Sequence, residues 1–253
     1  MPSVDVWIWV LLVGIVISMV MVVGTATYRA ASSAGWTPTA RKRTVVAVVG
    51  TLAVWLAVGT ILASAGVFRP NPDFALPAIG PAVAIPIIAG SLLVWRSASL
   101  RRLLEAVPQP WLLAAQAPRV LGAIFLVLLA QNKLPAHFAG PAGYGDVFIG
   151  LAAPLVAYIY AVKAPGSRGL ATAFNVAGLG DLVMVLGTGL LSAPSPFRLF
   201  FSNPSIELMT VLPMALIPAF LVPIFVLLHV ISLRKLMEER SRTGRVGLPL
   251  SPA

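Results

Sequence analysis

The residues with the clearest potential for chemistry are two aspartates, each preceded by the same glycine pattern. The stretch GYGD covers residues 143–146 and the stretch GLGD covers residues 178–181, so Gly-x-Gly-Asp occurs twice in the C-terminal half. Two carboxyl groups that share a proton can act as general acid and general base on one water molecule. The repeat therefore raises the hypothesis of a catalytic pair formed by Asp146 and Asp181.

The chain that must position these aspartates is strongly apolar. It has 253 residues, of which 58% are hydrophobic and only 10% are charged, against about 25% charged in a typical soluble domain. No soluble core needs so much apolar sequence, so lipid is the expected solvent. The chain contains no Cys, which excludes disulfides, thiolate metal sites and iron–sulfur clusters.

Seven apolar stretches approach or exceed the length of about 20 residues that a helix needs to cross a bilayer. They are residues 6–23, 44–66, 74–95, 111–131, 147–162, 170–192 and 208–233. Runs this long and continuous are not typical of barrel strands. The sequence therefore predicts an all-α integral membrane protein, in which residues 1–236 form one bundle of about seven transmembrane helices. The basic remainder, residues 237–253, is predicted to be a disordered cytoplasmic tail.

The loop charges predict an orientation, because cytoplasmic loops of membrane proteins are enriched in Lys and Arg. One side of the seven-span arrangement has only Arg69, Lys133 and Arg198. The opposite side has Arg29, Arg41, Lys42, Arg43, Arg96, Arg101, Arg102, Lys163, Arg168, Arg234, Lys235, Arg240, Arg242 and Arg245. This asymmetry predicts a multi-pass protein with its N-terminus outside and its C-terminus in the cytoplasm. The expected location is the cytoplasmic membrane of a bacterium.

The same distribution decides which partners the net charge of +10 implies. The basic residues are scattered along loops rather than gathered on one face, so nucleic acid is not an expected partner. The expected partners are the lipid bilayer, anionic headgroups at the cytoplasmic face, and a small-molecule ligand. The first segment has no Lys or Arg before it, and is predicted to be a retained anchor rather than a signal peptide.

Ionisable residues inside apolar segments are costly and are functional candidates by default. Asp181 lies eleven residues into the sixth predicted segment, about 16 Å along a helix, and a carboxylate at that depth must be paired or protonated. Arg119 is its candidate partner, with Gln116 and Asn175 as polar neighbours at matching depths. Two alternatives remain open. Asp181 can be a neutral hydrogen-bond donor at a close helix contact, and Arg119 can merely flank a helix if residues 108–118 lie in the interface.

The remaining candidates have less demanding predicted settings. Asp146 precedes the fifth segment and is predicted at the outer start of a helix, where water reaches it. His137 is predicted in the outer link before that helix, and His229 near the cytoplasmic end of the last segment. Because a bis-histidine haem needs both imidazoles at similar depth, no haem, other cofactor or metal site is predicted.

The stretch GYGDVFIGLAA, residues 143–153, resembles the Gly-x-Gly-Asp signature of intramembrane aspartyl proteases, the presenilin-like and prepilin-peptidase families. The resemblance implies that Asp146 and Asp181 activate one water. The chain departs from these families in lacking Tyr-Asp, in having Phe148 after Val147, and in lacking a cysteine-rich domain.

A second resemblance covers the C-terminal half. The pattern PRVLGAIFLVLLAQNKLP, GYGD, GLGD and LHVISLRKL is similar to predicted multi-pass bacterial membrane proteins of unknown function, and it implies no activity. The leading expectation is therefore a non-enzymatic bundle that binds or moves a small molecule or lipid through a polar centre around Asp181. The alternatives are an aspartyl protease using Asp146 and Asp181, and a structural or assembly subunit in which Asp181 pairs with another protein.

Overall fold

A computed structural model describes residues 4–70 and 77–246. This part of the chain is helical and contains no β-strand. Its α-helices are α1 (Val6–Ser33), α2 (Pro38–Ser64), α3 (Ile79–Arg96), α4 (Ala98–Ala106), α5 (Gln109–Ala114), α6 (Ala123–Ala130), α7 (Ala136–Ala161), α8 (Ser167–Ser192) and α9 (Val222–Val246). Two 3-10 helices, Ala117–Gly122 and Ile206–Thr210, and a π-helical turn, Ile217–Leu221, complete the set.

Within the described ranges, seven helical stretches are long and apolar enough to cross a membrane. They are Val6–Ser33, Pro38–Ser64, Ile79–Arg96, Gln109–Ala130, Ala136–Ala161, Ser167–Ser192 and Ile217–Glu239. This confirms the expected all-helical fold with seven spans, and it indicates a multi-pass membrane protein.

Several helix bounds differ from the predicted segments, and α7 differs most. It begins at Ala136, whereas the predicted span begins at residue 147. Residues 136–146 are rich in Gly and Ala and contain a proline, so their low hydropathy resembles that of a link. Small side chains also allow helices to approach closely, and this stretch packs in the core, with Ala139 and Ala142 fully buried.

The C-terminal region also differs from its prediction. The last span begins at Ile217 rather than at residue 208, because residues 206–210 form a separate 3-10 helix. Helix α9 continues to Val246, so residues 237–246 are helical rather than disordered. The rest of the predicted tail, residues 247–253, lies outside the described residues.

Contacts between the ends of helices show that successive spans run in opposite directions. At one end of the bundle, which we call the N-terminal end, Lys133 pairs with Asp5 at 3.4 Å and His137 hydrogen-bonds Ser192 at 2.8 Å. At the opposite end, which we call the basic end, the Lys235 ammonium donates to the carbonyl oxygens of Glu105 in α4 and of Val107 just after it. The link between the fourth span and α7 therefore lies at the N-terminal end, and the link that contains α4 lies at the basic end.

Helix α7 lies at the centre of the bundle. It packs against α8 on one side and against the whole of the fourth span, α5 to α6, on the other. Helix α9 closes the core against α8, α5 and α3. Helix α2 is peripheral, since Ala63 is its only buried residue. The buried polar residues Arg119, Asn175 and His229 are thus carried by the inner helices, whereas α2 buries little of its surface.

Candidate functional site

The fourth span is broken where it carries Arg119. Helix α5 ends at Ala114, and the next turn is the 3-10 helix Ala117–Gly122, whose second residue is Pro118. Proline has no backbone N–H and disrupts a continuous α-helix. The break places Arg119 inside the bundle with only 2% of its surface exposed, so the alternative in which it flanks an interfacial segment is wrong.

Arg119 contacts both aspartates of the repeated motif. Its Nε donates to Asp146 Oδ1 at 2.7 Å, and its Nη2 donates to Asp181 Oδ2. One guanidinium therefore bridges two helices, α7 and α8, through two carboxylates. We call these three residues, Arg119, Asp146 and Asp181, the charged centre.

The two carboxylates lie at the same depth. Asp146 is ten residues from the start of α7 at Ala136, and Asp181 is eleven residues from the end of α8 at Ser192. Both are thus about 15 Å from the N-terminal end. The prediction that Asp146 lies at a helix start is wrong, because α7 begins ten residues earlier than that prediction requires.

The remaining nitrogen of Arg119 faces α8 and α9. Its Nη1 lies 3.4 Å from the Gly178 carbonyl oxygen and 3.4 Å from His229 Nε2. All three guanidinium nitrogens therefore have acceptors, which is what a buried arginine needs to offset the loss of water.

A buried polar chain continues from His229 toward the basic end. His229 Nδ1 lies 2.9 Å from Asn175 Oδ1, and Asn175 Nδ2 donates to Ser232 Oγ at 2.8 Å. Gln109 Nε2 donates to the same hydroxyl at 2.7 Å. All four residues are at most 3% exposed, so this row of polar side chains is sealed from lipid.

Glycines make room for this arrangement. A Cβ atom built on Gly145 would collide with the Asp181 carboxylate, and one built on Gly178 would collide with the His229 ring. A Cβ on Gly122 would likewise collide with Asp146. The residue before Asp146 is therefore glycine because the other aspartate occupies the space that a side chain would need.

The structure brings most of the predicted polar residues together. Asp181, Arg119 and Asp146 meet directly, and Asn175 joins them through His229. Gln116 is fully buried, but its side chain does not hydrogen-bond to the charged centre. Its Nε2 donates instead to the Phe225 carbonyl oxygen at 3.2 Å.

Three buried members of the network were missed by the sequence analysis: His229, Ser232 and Gln109. His229 and Ser232 are three residues apart in α9 and so share one helix face. Counting depth from the last apolar residue placed His229 near the membrane surface. Depth along the helix does not show which way a side chain faces, and His229 is fully buried in the bundle; its spacing to Ser232 is the available signal.

Three of the cavities bordered by the described residues adjoin the inner helices. A small one of about 50 Å³ is lined by Arg119 and Asp146 together with apolar side chains. An apolar one of about 310 Å³ lies between α3, α8 and the π-helical turn. Four residues line both of these cavities: Phe125, Val185, Ile217 and Val222. A third, apolar cavity of about 720 Å³ is lined by α1, α4, α5 and α9 at the basic end.

No arrangement for a metal is present in the described ranges, since no group of three or more His, Asp or Glu side chains converges there. The two histidines are separated, as His137 lies at the N-terminal end, where it stacks on Phe200 with ring centroids 4.8 Å apart.

Residues 76–237 match a protein family described as a domain of unknown function, DUF8737. This is more than half of the chain. The chain belongs to this family. The DUF8737 region begins just before α3 and contains the charged centre and the buried polar chain, whereas α1 and α2 precede it. No curated protein and no solved structure matches the chain.

Proposed function

We propose that this protein binds or moves a lipid or another hydrophobic small molecule within the membrane, and that the charged centre is its functional site. The observation that carries the proposal is a fully buried arginine joined to two carboxylates about halfway across the spans. Ionisable groups at this depth are expensive and mark ligand or ion sites in membrane proteins.

The cavities support a hydrophobic ligand. The cavity of about 310 Å³ is within the usual range of roughly 300–1,000 Å³ for small-molecule pockets, and its lining is almost wholly apolar. It shares the wall residues Phe125, Val185, Ile217 and Val222 with the small cavity beside Arg119. A ligand in the apolar cavity would therefore lie one layer of side chains from the charged centre.

The orientation forms part of the proposal. The basic end collects the loops rich in Lys and Arg, which supports a cytoplasmic location for that end and an outer location for the N-terminus. Arg29 lies over the Trp111 ring and Arg234 over the Trp95 ring, a pairing that suits the headgroup level. We place the protein in a bacterial cytoplasmic membrane with anionic lipid headgroups at this end.

Ligand retention tests the proposal. Gly189 lines the apolar cavity, and a Cβ there would lie 3.5 Å from the Phe138 ring, an ordinary contact. Gly189→Leu should fill the cavity and lower at least severalfold the amount of lipid retained by the purified protein in native mass spectrometry. Gly187→Leu is the matched control, because Gly187 lies on the same helix and a Cβ there meets nothing within 4 Å.

Equal retention by both leucine variants and the wild type would contradict the proposal. A protein that carries no co-purified lipid or hydrophobic molecule in any form would contradict it equally.

One observation favours an aspartyl protease as a second candidate, since Asp146 and Asp181 approach closely enough to share one guanidinium. In an aspartyl protease, however, the two carboxyl groups share a proton and a water, and here Arg119 occupies the position between them. Cleavage of membrane peptides that is lost in both Asp146→Asn and Asp181→Asn would support this candidate over a binding protein.

The contacts of Asp181 bear on the assembly alternative. Its carboxylate faces Arg119 within the same chain rather than an outer surface. An intramolecular partner removes the need for a partner subunit to neutralise it, so this alternative receives no support from the site.

A further inference from the structure

The charged centre contains one more carboxylate than it has cations. Arg119 supplies one positive charge, whereas Asp146 and Asp181 supply two negative charges when both are ionised. No other ion pair among the described residues involves any of the three. An uncompensated charge within the spans is strongly unfavourable, so the centre with both carboxylates ionised needs one further positive charge.

His229 does not supply that charge. Asn175 Nδ2 donates to the Ala171 carbonyl oxygen at 2.7 Å and to Ser232 Oγ, so Asn175 Oδ1 is the atom that accepts from His229 Nδ1. The proton of the imidazole is therefore on Nδ1. Its Nε2 then presents a lone pair to Arg119 Nη1, and a second proton on Nε2 would point at a cation.

The space beside the centre limits the size of the missing cation. The cavity of about 50 Å³ is lined by Arg119, Asp146 and otherwise uncharged residues, including Leu12 and Ile15 of α1. It has room for one or a few water molecules, whereas organic ligands need roughly 300 Å³ or more. Among the described residues, the titratable or charged groups that face the centre from the surrounding helices are its own three members and His229.

The two aspartates differ in their access to this cavity. Asp146 lines it and its side chain is 17% exposed, whereas Asp181 does not line it and is 10% exposed. Asp146 Oδ1 accepts from Arg119, which leaves Oδ2 as the free oxygen, and Gly122 makes room for it.

We propose that the charged centre binds one exchangeable proton, held on Asp146 Oδ2 and delivered from the small cavity, while Asp181 remains the permanent counter-ion of Arg119. A hydronium ion in the cavity transfers its proton to Oδ2, which leaves a neutral water and changes the charge of the centre from −1 to zero. This inference rests on the proposed function, because it names the ion that accompanies the hydrophobic ligand.

Infrared difference spectroscopy tests the proposal on the full-length protein in liposomes. Between alkaline and acidic buffer, the wild type should gain the carbonyl band of one buried carboxyl group, in addition to the bands of exposed carboxyl groups such as that of Glu238, which the variants share. Both Asp146→Asn and Asp181→Asn should lose this band, because either leaves one arginine opposite one carboxylate. Asp5→Asn is the control, since Asp5 is paired with Lys133 at the N-terminal end, and it should keep the band.

The glutamate variants identify which residue holds the proton. Asp146→Glu should shift the band to the glutamic acid position, whereas Asp181→Glu should leave it at the aspartic acid position. A band that survives in Asp146→Asn, or a carboxyl group that stays protonated in every buffer, would overturn the proposal. If the pH-dependent band is weaker in sodium buffer than in choline buffer, the proton proposal is overturned and the exchangeable ion is sodium.

The two proposals fail separately. Lipid retention in the wild type and in Gly189→Leu is measured on the same samples. Retention without the exchangeable band refutes only the proton, and the band without retention refutes only the hydrophobic ligand.

Discussion

The two Gly-x-Gly-Asp motifs have the same letters but different surroundings. In the first, the glycine next to the aspartate, Gly145, faces the Asp181 carboxylate. In the second, the corresponding Gly180 has no atom within 4 Å of its Cβ position, and the other glycine, Gly178, faces His229. The aspartates differ as well, because Asp146 lines a small cavity and Asp181 does not.

The difference follows from the neighbours of the two helices. Helix α7 packs against the fourth span as well as against α8, whereas α8 packs against α7 and α9. Equal sequence patterns on helices with different neighbours present their glycines to different side chains. A repeated motif therefore does not imply two equivalent halves of a catalytic pair, and substitutions at matched positions should have unequal effects.

The largest expected effect comes from removing both aspartates. Asp146→Asn combined with Asp181→Asn leaves Arg119 buried without a counter-charge, which typically destabilises a protein by about 3–5 kcal/mol. Each single variant leaves one ion pair and should cost less than half as much. Thermal unfolding in detergent measures the three variants, and strictly additive losses would contradict a shared arginine.

The next largest effect separates the glycines. Gly145→Ala and Gly178→Ala should each destabilise the protein by about 1–3 kcal/mol, because an added methyl group meets Asp181 or His229 in a packed core. Gly180→Ala should be neutral or slightly stabilising, as alanine favours helices. Chemical denaturation of the three variants checks this order, and a loss at Gly180 equal to that at Gly145 would show that the motifs are equivalent after all.

A smaller effect is expected at the histidine that only the second motif contacts. His229→Phe keeps the size of the ring but removes the hydrogen bond with Asn175, so we expect a loss of about 1 kcal/mol. The double variant His229→Phe with Asn175→Leu replaces both partners and should recover part of it. The comparison uses the same unfolding measurement, and no recovery would mean that the ring acts through packing alone.

The smallest effect serves as a baseline for ion pairs outside the centre. Lys133→Ala removes a pair with Asp5 whose side chains are 33% and 42% exposed. Exposed pairs contribute about 0–1 kcal/mol, so the unfolding midpoint should hardly change. A loss as large as that of the double aspartate variant would show that position in the bundle does not govern the strength of these pairs.

The sequence predicts much of the fold, because long apolar runs leave little choice besides membrane helices. All seven predicted segments overlap an observed span. The short amphipathic stretch near residues 99–107 is also helical, as α4. The bounds are less predictable, and α7 shows why. Its first turns consist largely of small residues that pack well but have low hydropathy, so a rule based on apolar length starts the helix too late.

The site is less accessible to sequence reasoning than the fold. Depth along a helix indicates that Asp181 needs a partner, and it names Arg119 as a candidate. It does not indicate which way a side chain faces after a proline break such as the one at Pro118. The predicted start of α7 puts Asp146 at the membrane surface, away from Arg119, which it contacts, and from Asp181, which contacts the same guanidinium.

The broken fourth span has a consequence for biogenesis. The ribosome makes Arg119 before either aspartate, and a lone arginine at the centre of a nascent span costs about 2.5–3.5 kcal/mol during insertion by the translocon. Residues 109–130 are therefore a weak insertion signal on their own. Glycosylation mapping of truncated chains should show that this segment enters the membrane efficiently only once α7 and α8 have been synthesised behind it.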